Sequence, residues 1–185
     1  NMAELDYPAA LVEWIVVSNG SSDATESLLH SAFFGFPNRK YLHLDTPVGK
    51  SSALKQGVRM ASGRIIVFMD ARLPVSSNAL RKLVPYLLYP EVGAVSGELV
   101  LSDPTSLAAG NLGLYWRYEK WIRENESRLY STTGVTGALY AMRRSDYKPN
   151  RNATLLDEFD TPVSLLKQGK RTLFVAGAHA YDKAS

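Results

Sequence analysis

The sequence predicts an α/β fold, with a mostly parallel sheet covered by helices on both faces. Short runs of β-branched and aromatic residues, apolar on both sides like strands inside a sheet, alternate with longer segments of helical periodicity. Polar turn signals separate the two kinds of segment, and this alternation is typical of strand–helix–strand units. At 185 residues the chain is long enough for one sizeable core, so we expect a single domain over residues 1–185.

The first elements follow this scheme closely. The run VEWIVVS (residues 12–18) predicts an interior strand, and the helical segment after it begins where Asp23 and Glu26 have the spacing of an N-cap and its capping-box partner. The next helix, residues 50–63, has Gly63 where a C′ glycine belongs. The run RIIVFMD then predicts a buried strand, and Asp70 falls at its carboxyl end.

The second half continues the alternation. Pro85 lies inside an otherwise helical pattern and should kink or split that helix. The remaining predicted elements are a helix over 76–89, a strand over 93–101, a long helix over 105–130, a turn and strand over 134–144, a helix over 155–169 that ends at Gly169, and a last strand over 171–177.

Composition excludes several classes of protein. No run of about 18 apolar residues is present to span a bilayer, and the small net charge of +3 is scattered, so nucleic acid is not an expected partner. The absence of cysteine removes disulfides and thiolate zinc sites. A nucleotide-dependent oxidoreductase is disfavoured, because the loop after the first strand lacks the spaced glycines of a dinucleotide site.

Six segments, in order, resemble one known family. They are EWIVVSNGSSDAT, GKSSALKQGVRMASGRIIVFMDAR, VGAVSGEL, YWRYEKWIRENES, GVTGALYAMRR and LLDEFDTPVSLLKQGKRTLFVAGAHAYD. Together they are similar to the family 2 glycosyltransferases, inverting enzymes of the GT-A fold, and most of all to bacterial cell-wall and polysaccharide synthases. The resemblance implies transfer of a sugar from a nucleotide-diphosphate sugar to a hydroxyl of a glycan or lipid-linked acceptor.

Two parts of the family pattern are not found in this sequence. The family's first strand is not recognised ahead of residue 12, and neither are its later acceptor motif and membrane helices. We therefore expect a truncated catalytic domain, itself soluble, of a protein at the cytoplasmic face of the inner or plasma membrane. Membrane contact would then come through segments absent from this chain.

The resemblance assigns donor binding to four residues: Asn19, Lys50, Asp70 and Arg72. Asp70 corresponds to the first carboxylate of the family's Asp-x-Asp signature and is the candidate ligand of a divalent cation, Mn²⁺ or Mg²⁺. Arg72 stands at the second carboxylate, which puts that cation in doubt, since a guanidinium repels a metal and suits phosphate oxygens. Alternatively, Arg72 points into solvent or pairs with a nearby acid, and Asn19 with Gly20 only makes the turn.

The resemblance also locates the catalytic base. The family's second acid lies eleven residues before the glycine that corresponds to Gly169, which gives Glu158, with Asp157 directly before it. The family has aspartate at this position, so either Glu158 is a repositioned base or Asp157 serves instead. In a purely structural interpretation, both acids stabilise the first turn of the helix that follows.

The resemblance also assigns acceptor binding to Tyr115, Trp116 and Gly137. The face of an aromatic ring suits the apolar face of a sugar ring; alternatively, these two aromatics are core residues of the helix. We expect Trp121 to be a core residue and His179 to be structural rather than a metal ligand. Because three family acids are altered, at the positions of Asn19, Arg72 and Glu158, a catalytically degenerate nucleotide-sugar or glycan-binding module is the alternative function.

Overall fold

The computed structural model describes residues 4–101, 109–148 and 157–182, without the side chains of residues 101, 109–113 and 157. Within these ranges no helix combines the length and apolar character needed to cross a bilayer. The strands are β1 (Trp14–Asn19), β2 (Arg39–Leu44), β3 (Ile65–Met69), β4 (Val92–Leu101), β5 (Leu139–Arg143) and β6 (Arg171–Asp182). The α-helices are α1 (Thr25–Phe33), α2 (Lys50–Met60), α3 (Ala79–Leu83), α4 (Ala109–Leu129) and α5 (Asp157–Leu166).

The described strands form two sheets. β1 and β2 pair in parallel, while the larger sheet has the order β3-β5-β4-β6. The predicted α/β class is confirmed, but the larger sheet is mixed, because β5 runs antiparallel to both β3 and β4 and only β4 and β6 are parallel. Periodicity could not reveal this, since a strand buried on both faces has the same apolar pattern in either direction.

The side chains of β5 divide the core into two layers, one on each face of the larger sheet. Leu139 and Ala141 belong to a cluster that includes Leu83 of α3. Tyr140 and Met142, which alternate with them, belong to a second cluster that includes Leu165 of α5. Partly buried side chains of α2 complete the second cluster. Both faces are therefore covered by helices, as the sequence predicts.

Several local predictions are confirmed and others are wrong. Pro85 splits its helix as expected, because α3 ends at Leu83 and a 3₁₀ turn follows. Gly169 ends the α5 segment in the left-handed conformation, with φ of 71°. Gly63 does not act as a C′ glycine, because α2 already ends at Met60 and the chain is extended at Ala61.

The start of α1 also differs from the prediction. Its N-cap is Ala24, which has no capping side chain, while Asp23 accepts a hydrogen bond of 3.0 Å from the Thr25 N–H in a local turn. Glu26 does not reach back to form a capping box but approaches His43 of β2 at 3.9 Å. Strand β2 itself was not among the elements that the sequence predicted.

A buried carboxylate ties the end of β5 to the turn before β6. Asp146 is 5% exposed and receives hydrogen bonds from Arg143 Nε, at 3.1 Å, and from the Lys170 ammonium. Arg143 also donates to the carbonyl oxygens of Leu87 and Pro90, which precede β4. Burial by itself raises the pKa of Asp146, but the hydrogen bonds from Lys170 and Arg143 outweigh it and hold that pKa below its ordinary value.

Candidate functional site

The carboxyl end of β3 meets the start of β5 at one edge of the larger sheet. Met69 pairs with Leu139, and directly beyond this pair the Asp70 N–H donates to the Ala138 carbonyl oxygen at 3.2 Å. Gly137 is the next residue back along the chain. The antiparallel register of β3 and β5 therefore places the predicted donor aspartate beside the predicted acceptor glycine.

Glu158 and Lys50 come to the same place from two other elements. Glu158 lies in the first turn of α5, and its Oε1 is 3.9 Å from Nζ of Lys50, the first residue of α2. Gly137 lies directly against both side chains, since a Cβ at this position would be 1.8 Å from Oε1 of Glu158 and 3.2 Å from Nζ of Lys50. A carboxylate and an ammonium thus converge where only glycine leaves room.

Both charged groups at this point remain accessible to a ligand. The Glu158 side chain is 49% exposed and that of Lys50 is 60% exposed. An ion pair this open to water is worth little for stability, roughly 0 to 1 kcal/mol. The side chain of Asp157 lies outside the described atoms. Of the two acids considered as the catalytic base, only Glu158 has a described position in the site. A half-exposed carboxylate beside a glycine can reach a proton on a bound hydroxyl.

Arg72 pairs with Asp70. Its Nε lies 3.4 Å from Oδ2 of Asp70, and its backbone N–H lies 3.4 Å from Oδ1. Of the arrangements considered from the sequence, the structure has the one in which Arg72 pairs with a nearby acid. The guanidinium remains 75% exposed and the aspartate 31% exposed, so an anionic ligand can still approach both.

These residues do not fit a dedicated metal centre. Mn²⁺ and Mg²⁺ require several oxygen ligands, whereas Asp70 stands alone and is neutralised by a guanidinium. In the part of the chain that the structure describes, no three histidine, aspartate or glutamate side chains come together as a metal site. The second carboxylate that the Asp-x-Asp signature would supply is replaced here by the guanidinium of Arg72.

Asn19 ends β1, and its side chain holds the loop that leads to Lys50. Its Oδ1 accepts a hydrogen bond of 2.8 Å from the Val48 N–H. Gly20, which follows, has φ of 74° and packs so closely on Pro47 that a Cβ would be 2.6 Å from the proline nitrogen. The Asn19 side chain therefore contributes to loop structure, and its amide NH₂ is the part left to meet a ligand.

The predicted acceptor aromatics lie on α4. Tyr115 is 59% exposed, and its ring meets that of Trp116 edge-on with centroids 6.1 Å apart. No hydrogen bond or ring contact joins either side chain to Lys50, Asp70 or Glu158 among the residues described. The structure thus brings Lys50 and Glu158 together at Gly137, with the pair of Asp70 and Arg72 beside them along the sheet edge, but it does not connect Asn19 or these two aromatics to that group.

Trp121 was predicted to be a core residue, and this is wrong. It is 58% exposed and stacks on Tyr118, which is itself 61% exposed, with centroids 6.1 Å apart. Helical spacing of aromatics is compatible with either a buried or an exposed face, because the polar residues between them do not identify the covered side.

His179 of β6 lies in a polar cluster. Its Nδ1 is 3.2 Å from the Tyr181 hydroxyl, and its Nε2 is 3.5 Å from Oε2 of Glu98 on β4. Glu98 also pairs with Lys120 of α4 at 2.7 Å. Both ring nitrogens of His179 therefore face protein partners. The expectation that this histidine is structural stays a prediction.

Sequence analysis missed Glu126 of α4, whose carboxylate holds the residues that lead to Gly137. The only signal for it is a glutamate near the end of a helix, six residues before a Thr-Thr pair that begins at Thr132. Such spacing has no established meaning. The contact depends on how α4 packs beside the loop rather than on local sequence.

Comparison with known proteins gives a consistent result. A model of the family "Glycosyl transferase family 2" matches residues 3–149. The chain is 26% identical to an N-acetylglucosaminyltransferase of Rhizobium meliloti (strain 1021), over 96% of this chain and 45% of that protein. It is 33% identical to a beta-monoglucosyldiacylglycerol synthase of Trichormus variabilis (strain ATCC 29413 / PCC 7937), over 56% of this chain and 22% of that protein. The chain thus spans less than half the length of either relative.

Solved structures with a similar fold have been determined with nucleotide sugars. The chain superposes on the mannosyltransferase PcManGT of Pyrobaculum calidifontis, in complex with GDP-Man and Mn²⁺, with a TM-score of 0.80 and 25% identity over 98% of this chain and 50% of that one. It superposes on S. aureus TarS 1-349, in complex with UDP-GlcNAc, with a TM-score of 0.69 and 16% identity over 100% of this chain and 53% of that one. The second likeness concerns the fold alone.

Proposed function

The chain belongs to glycosyl transferase family 2, and from this membership we propose that the protein transfers a sugar from a nucleotide-diphosphate sugar to a hydroxyl group of an acceptor. The observation that carries the proposal is the convergence of Lys50, Gly137 and Glu158, which come from separate segments of the chain. A relative that acts as an N-acetylglucosaminyltransferase and a neighbour solved with GDP-Man support the same chemistry.

Glu158 is the proposed base of an inverting displacement. The acceptor oxygen attacks the anomeric carbon from the face opposite the leaving group, and a new C–O bond forms as the bond to the diphosphate breaks. The hydroxyl proton passes to the Glu158 carboxylate, and the diphosphate leaves with the bonding electron pair. The position of Glu158 supports this role, because its carboxylate occupies the space that a side chain at residue 137 would fill and is still 49% exposed, so that an acceptor hydroxyl can approach it from solvent.

The donor is proposed to lie across the ends of β1 and β3. Asp70 and the free amide group of Asn19 offer hydrogen-bonding partners for the nucleoside. Arg72 and Lys50 offer positive charge to the departing diphosphate. Arg72 in particular is 75% exposed, so it can exchange its contact with Asp70 for phosphate oxygens. We therefore propose that Arg72 supplies part of the charge that a divalent cation supplies in neighbours solved with Mn²⁺.

The acceptor is proposed to be a hydroxyl of a glycan or of a lipid-linked molecule. The exposed ring of Tyr115 and the partly buried ring of Trp116 are suited to stacking on a pyranose. The relatives include a poly-beta-1,6-N-acetyl-D-glucosamine synthase of Staphylococcus epidermidis and a beta-monoglucosyldiacylglycerol synthase, whose names describe a glycan product and a glycolipid product. We propose that the intact protein works at the cytoplasmic face of the membrane, which it contacts through segments other than this chain.

The test of this proposal is Glu158→Gln in the intact protein. The amide cannot take the proton, so turnover with a panel of nucleotide sugars should fall at least about 100-fold while donor affinity changes little. Glu124→Gln makes the same chemical change on α4, at a residue without a hydrogen bond or ion pair among the described residues, and serves as the matched control. Turnover of Glu158→Gln at the wild-type rate would remove Glu158 from the mechanism.

A second function is favoured by one observation. The ion pair of Arg72 with Asp70 neutralises the carboxylate that the family uses at the donor site, which is compatible with a module that binds nucleotide sugar or glycan without turnover. Calorimetric titration and a transfer assay on the same intact wild-type protein separate the two functions. Tight donor binding without transfer to any glycan or lipid-linked acceptor would favour the binding module.

A further inference from the structure

The loop of residues 132–138 connects α4 to β5 and carries Gly137. At its carboxyl end, Gly137 lies against the Glu158 carboxylate. The position of this loop therefore decides how much room the proposed base has. Its contacts with the rest of the molecule show which residues fix that position.

One carboxylate holds the beginning of the loop. Glu126 of α4 accepts hydrogen bonds on Oε2 from the Thr132 hydroxyl at 3.0 Å and from the Thr133 N–H at 3.2 Å. The Thr133 hydroxyl also lies within 3.4 Å of Oε1. Thr132 is fully buried, and its backbone N–H donates to the Thr172 carbonyl oxygen on β6 at 2.9 Å. Glu126 thus fastens the start of the loop to the end of its own helix.

The residues that follow Thr133 connect the loop to α5 and β4 by hydrogen bonds. The Val135 N–H donates to the backbone carbonyl oxygen of Glu158 at 3.0 Å, which ties the loop to the first turn of α5. The Thr136 N–H donates to the hydroxyl of Ser96, a fully buried residue of β4, at 2.9 Å. Gly137 comes next. Three residues separate the threonine pair held by Glu126 from the glycine that faces Glu158.

The same face of α4 supports the loop at a second point. Arg123 lies three residues before Glu126, which puts the two side chains on one side of the helix. Its Nη1 is 3.4 Å from the Thr136 hydroxyl, and its Nη2 pairs with Glu119 at 2.6 Å. Arg123 therefore makes one contact with the loop, whereas Glu126 accepts several hydrogen bonds from it.

We propose that Glu126 is a positioning residue for sugar transfer, which holds the 132–138 loop and so sets the separation between Gly137 and the Glu158 carboxylate. This inference rests on the proposed role of Glu158 as the base. Glu126 does not touch either substrate in this proposal. Its effect is transmitted through the loop, where a displacement of about 1 Å at a reacting group can cost about 100-fold in rate.

The chemistry of the contact determines which substitutions disturb it. The carboxylate is acceptor-only, and Oε2 alone receives both the Thr132 hydroxyl and the Thr133 N–H. In Glu126→Gln, one oxygen becomes an NH₂ group that cannot accept, so at least one loop donor loses its partner. Glu126→Asp keeps two acceptor oxygens but withdraws them by about 1.5 Å, the length of one C–C bond. We expect both substitutions to lower activity, and Glu126→Asp to lower it at least as much as Glu126→Gln, because it withdraws both acceptor oxygens from the loop.

The experiment measures initial rates of transfer in the intact protein, with donor and acceptor varied separately. Glu126→Gln should lower kcat by about 10-fold to 100-fold, with donor affinity within about twofold of wild type. Thr133→Val removes an exposed hydroxyl donor and should give a smaller loss in the same direction. Glu124→Gln is the matched control, because Glu124 lies two residues away on α4 with no hydrogen bond or ion pair among the described residues, and it should leave kcat unchanged.

Coupling to the site separates positioning from a general loss of fold. If Glu126 acts through the loop, the effects of Glu126→Gln and Gly137→Ala on kcat should be less than additive, because either change alone displaces the same contact. Fully additive losses, or a loss that only matches the decrease in folded protein by circular dichroism, would overturn the inference. Wild-type kcat for Glu126→Gln together with an inactive Glu158→Gln overturns this inference alone, whereas an active Glu158→Gln overturns the proposed function.

Discussion

Replacing Gly137 by alanine should remove activity without unfolding the protein. The new Cβ would lie 1.8 Å from Oε1 of Glu158, whereas real Cβ atoms essentially never come within 3.0 Å of another heavy atom. The carboxylate must therefore retreat by at least about 1.2 Å, which is enough to cost about 100-fold in kcat, or about 2.7 kcal/mol in the activation barrier. The Glu158 side chain is 49% exposed, so it can swing into solvent.

The thermal stability of Gly137→Ala should be equal to or greater than that of the wild type. The backbone of Gly137 is not in the left-handed region, so alanine fits it, and a compatible glycine-to-alanine change stabilises by roughly 0.4 to 1 kcal/mol. We expect a melting temperature equal to or above that of the wild type together with the loss of turnover. The assay pairs initial transfer rates with thermal denaturation of the same preparation.

Gly134→Ala is the matched control in the same loop. A Cβ there would be 3.5 Å from Cε1 of Phe159, an ordinary contact, so both rate and stability should stay near the wild-type values. If Gly137→Ala turned over at more than about a third of the wild-type rate, the carboxylate position described here would not be the reacting one. Contact with Gly137 would then not determine the position of the catalytic carboxylate.

Two further predictions concern charge. Arg72→Ala should weaken binding of the nucleotide-diphosphate sugar about 10-fold in the absence of Mn²⁺ and less in its presence, because one charge-assisted contact to the diphosphate is lost. Titration of the nucleotide sugar with Mn²⁺ or with EDTA present measures this change in affinity. Binding that depends wholly on Mn²⁺ and is unchanged by the substitution contradicts the prediction. Asp146→Asn should destabilise the fold by about 1 to 3 kcal/mol at pH 7, since it leaves Lys170 and Arg143 without their shared carboxylate. The folded pKa of Asp146 is depressed, so its stabilising contribution is present above the unfolded value near 3.9 and is lost as pH falls through the folded one. Urea unfolding should therefore show the wild type and variant converging below about pH 4, and a constant difference down to pH 2 would count against this account.

The sequence identified those parts of the molecule that depend on local chemistry. Two-sided apolar runs located β1, β3 and β6, and Pro85 predicted the break after α3. Ordered family motifs assigned Lys50 to donor binding, Gly137 to acceptor binding and Glu158 to catalysis before any geometry was available. These features follow from residues close together in the chain or from a pattern fixed across a family.

What the sequence could not predict depends on long-range packing. The direction of β5 is set by its insertion between β3 and β4, and the apolar pattern of a strand does not indicate its direction. The exposure of Trp121 and the reach of Glu126 to Thr132 depend on where α4 lies against its neighbours. Arg72 could be recognised as a departure from the family, but its pairing with Asp70 is a matter of side-chain geometry.

The division of the described strands into two sheets has a consequence for handling the protein. β1 pairs only with β2, and β3 only with β5, among the strands that the structure describes, so each of these two apolar strands has one edge of backbone N–H and C=O groups without a strand partner. Open apolar edges are templates for the addition of another extended chain. A second molecule can supply such a chain, so self-association becomes more favourable as the concentration rises. Kinetic and binding constants for this chain are therefore best measured at several protein concentrations, with light scattering recorded alongside.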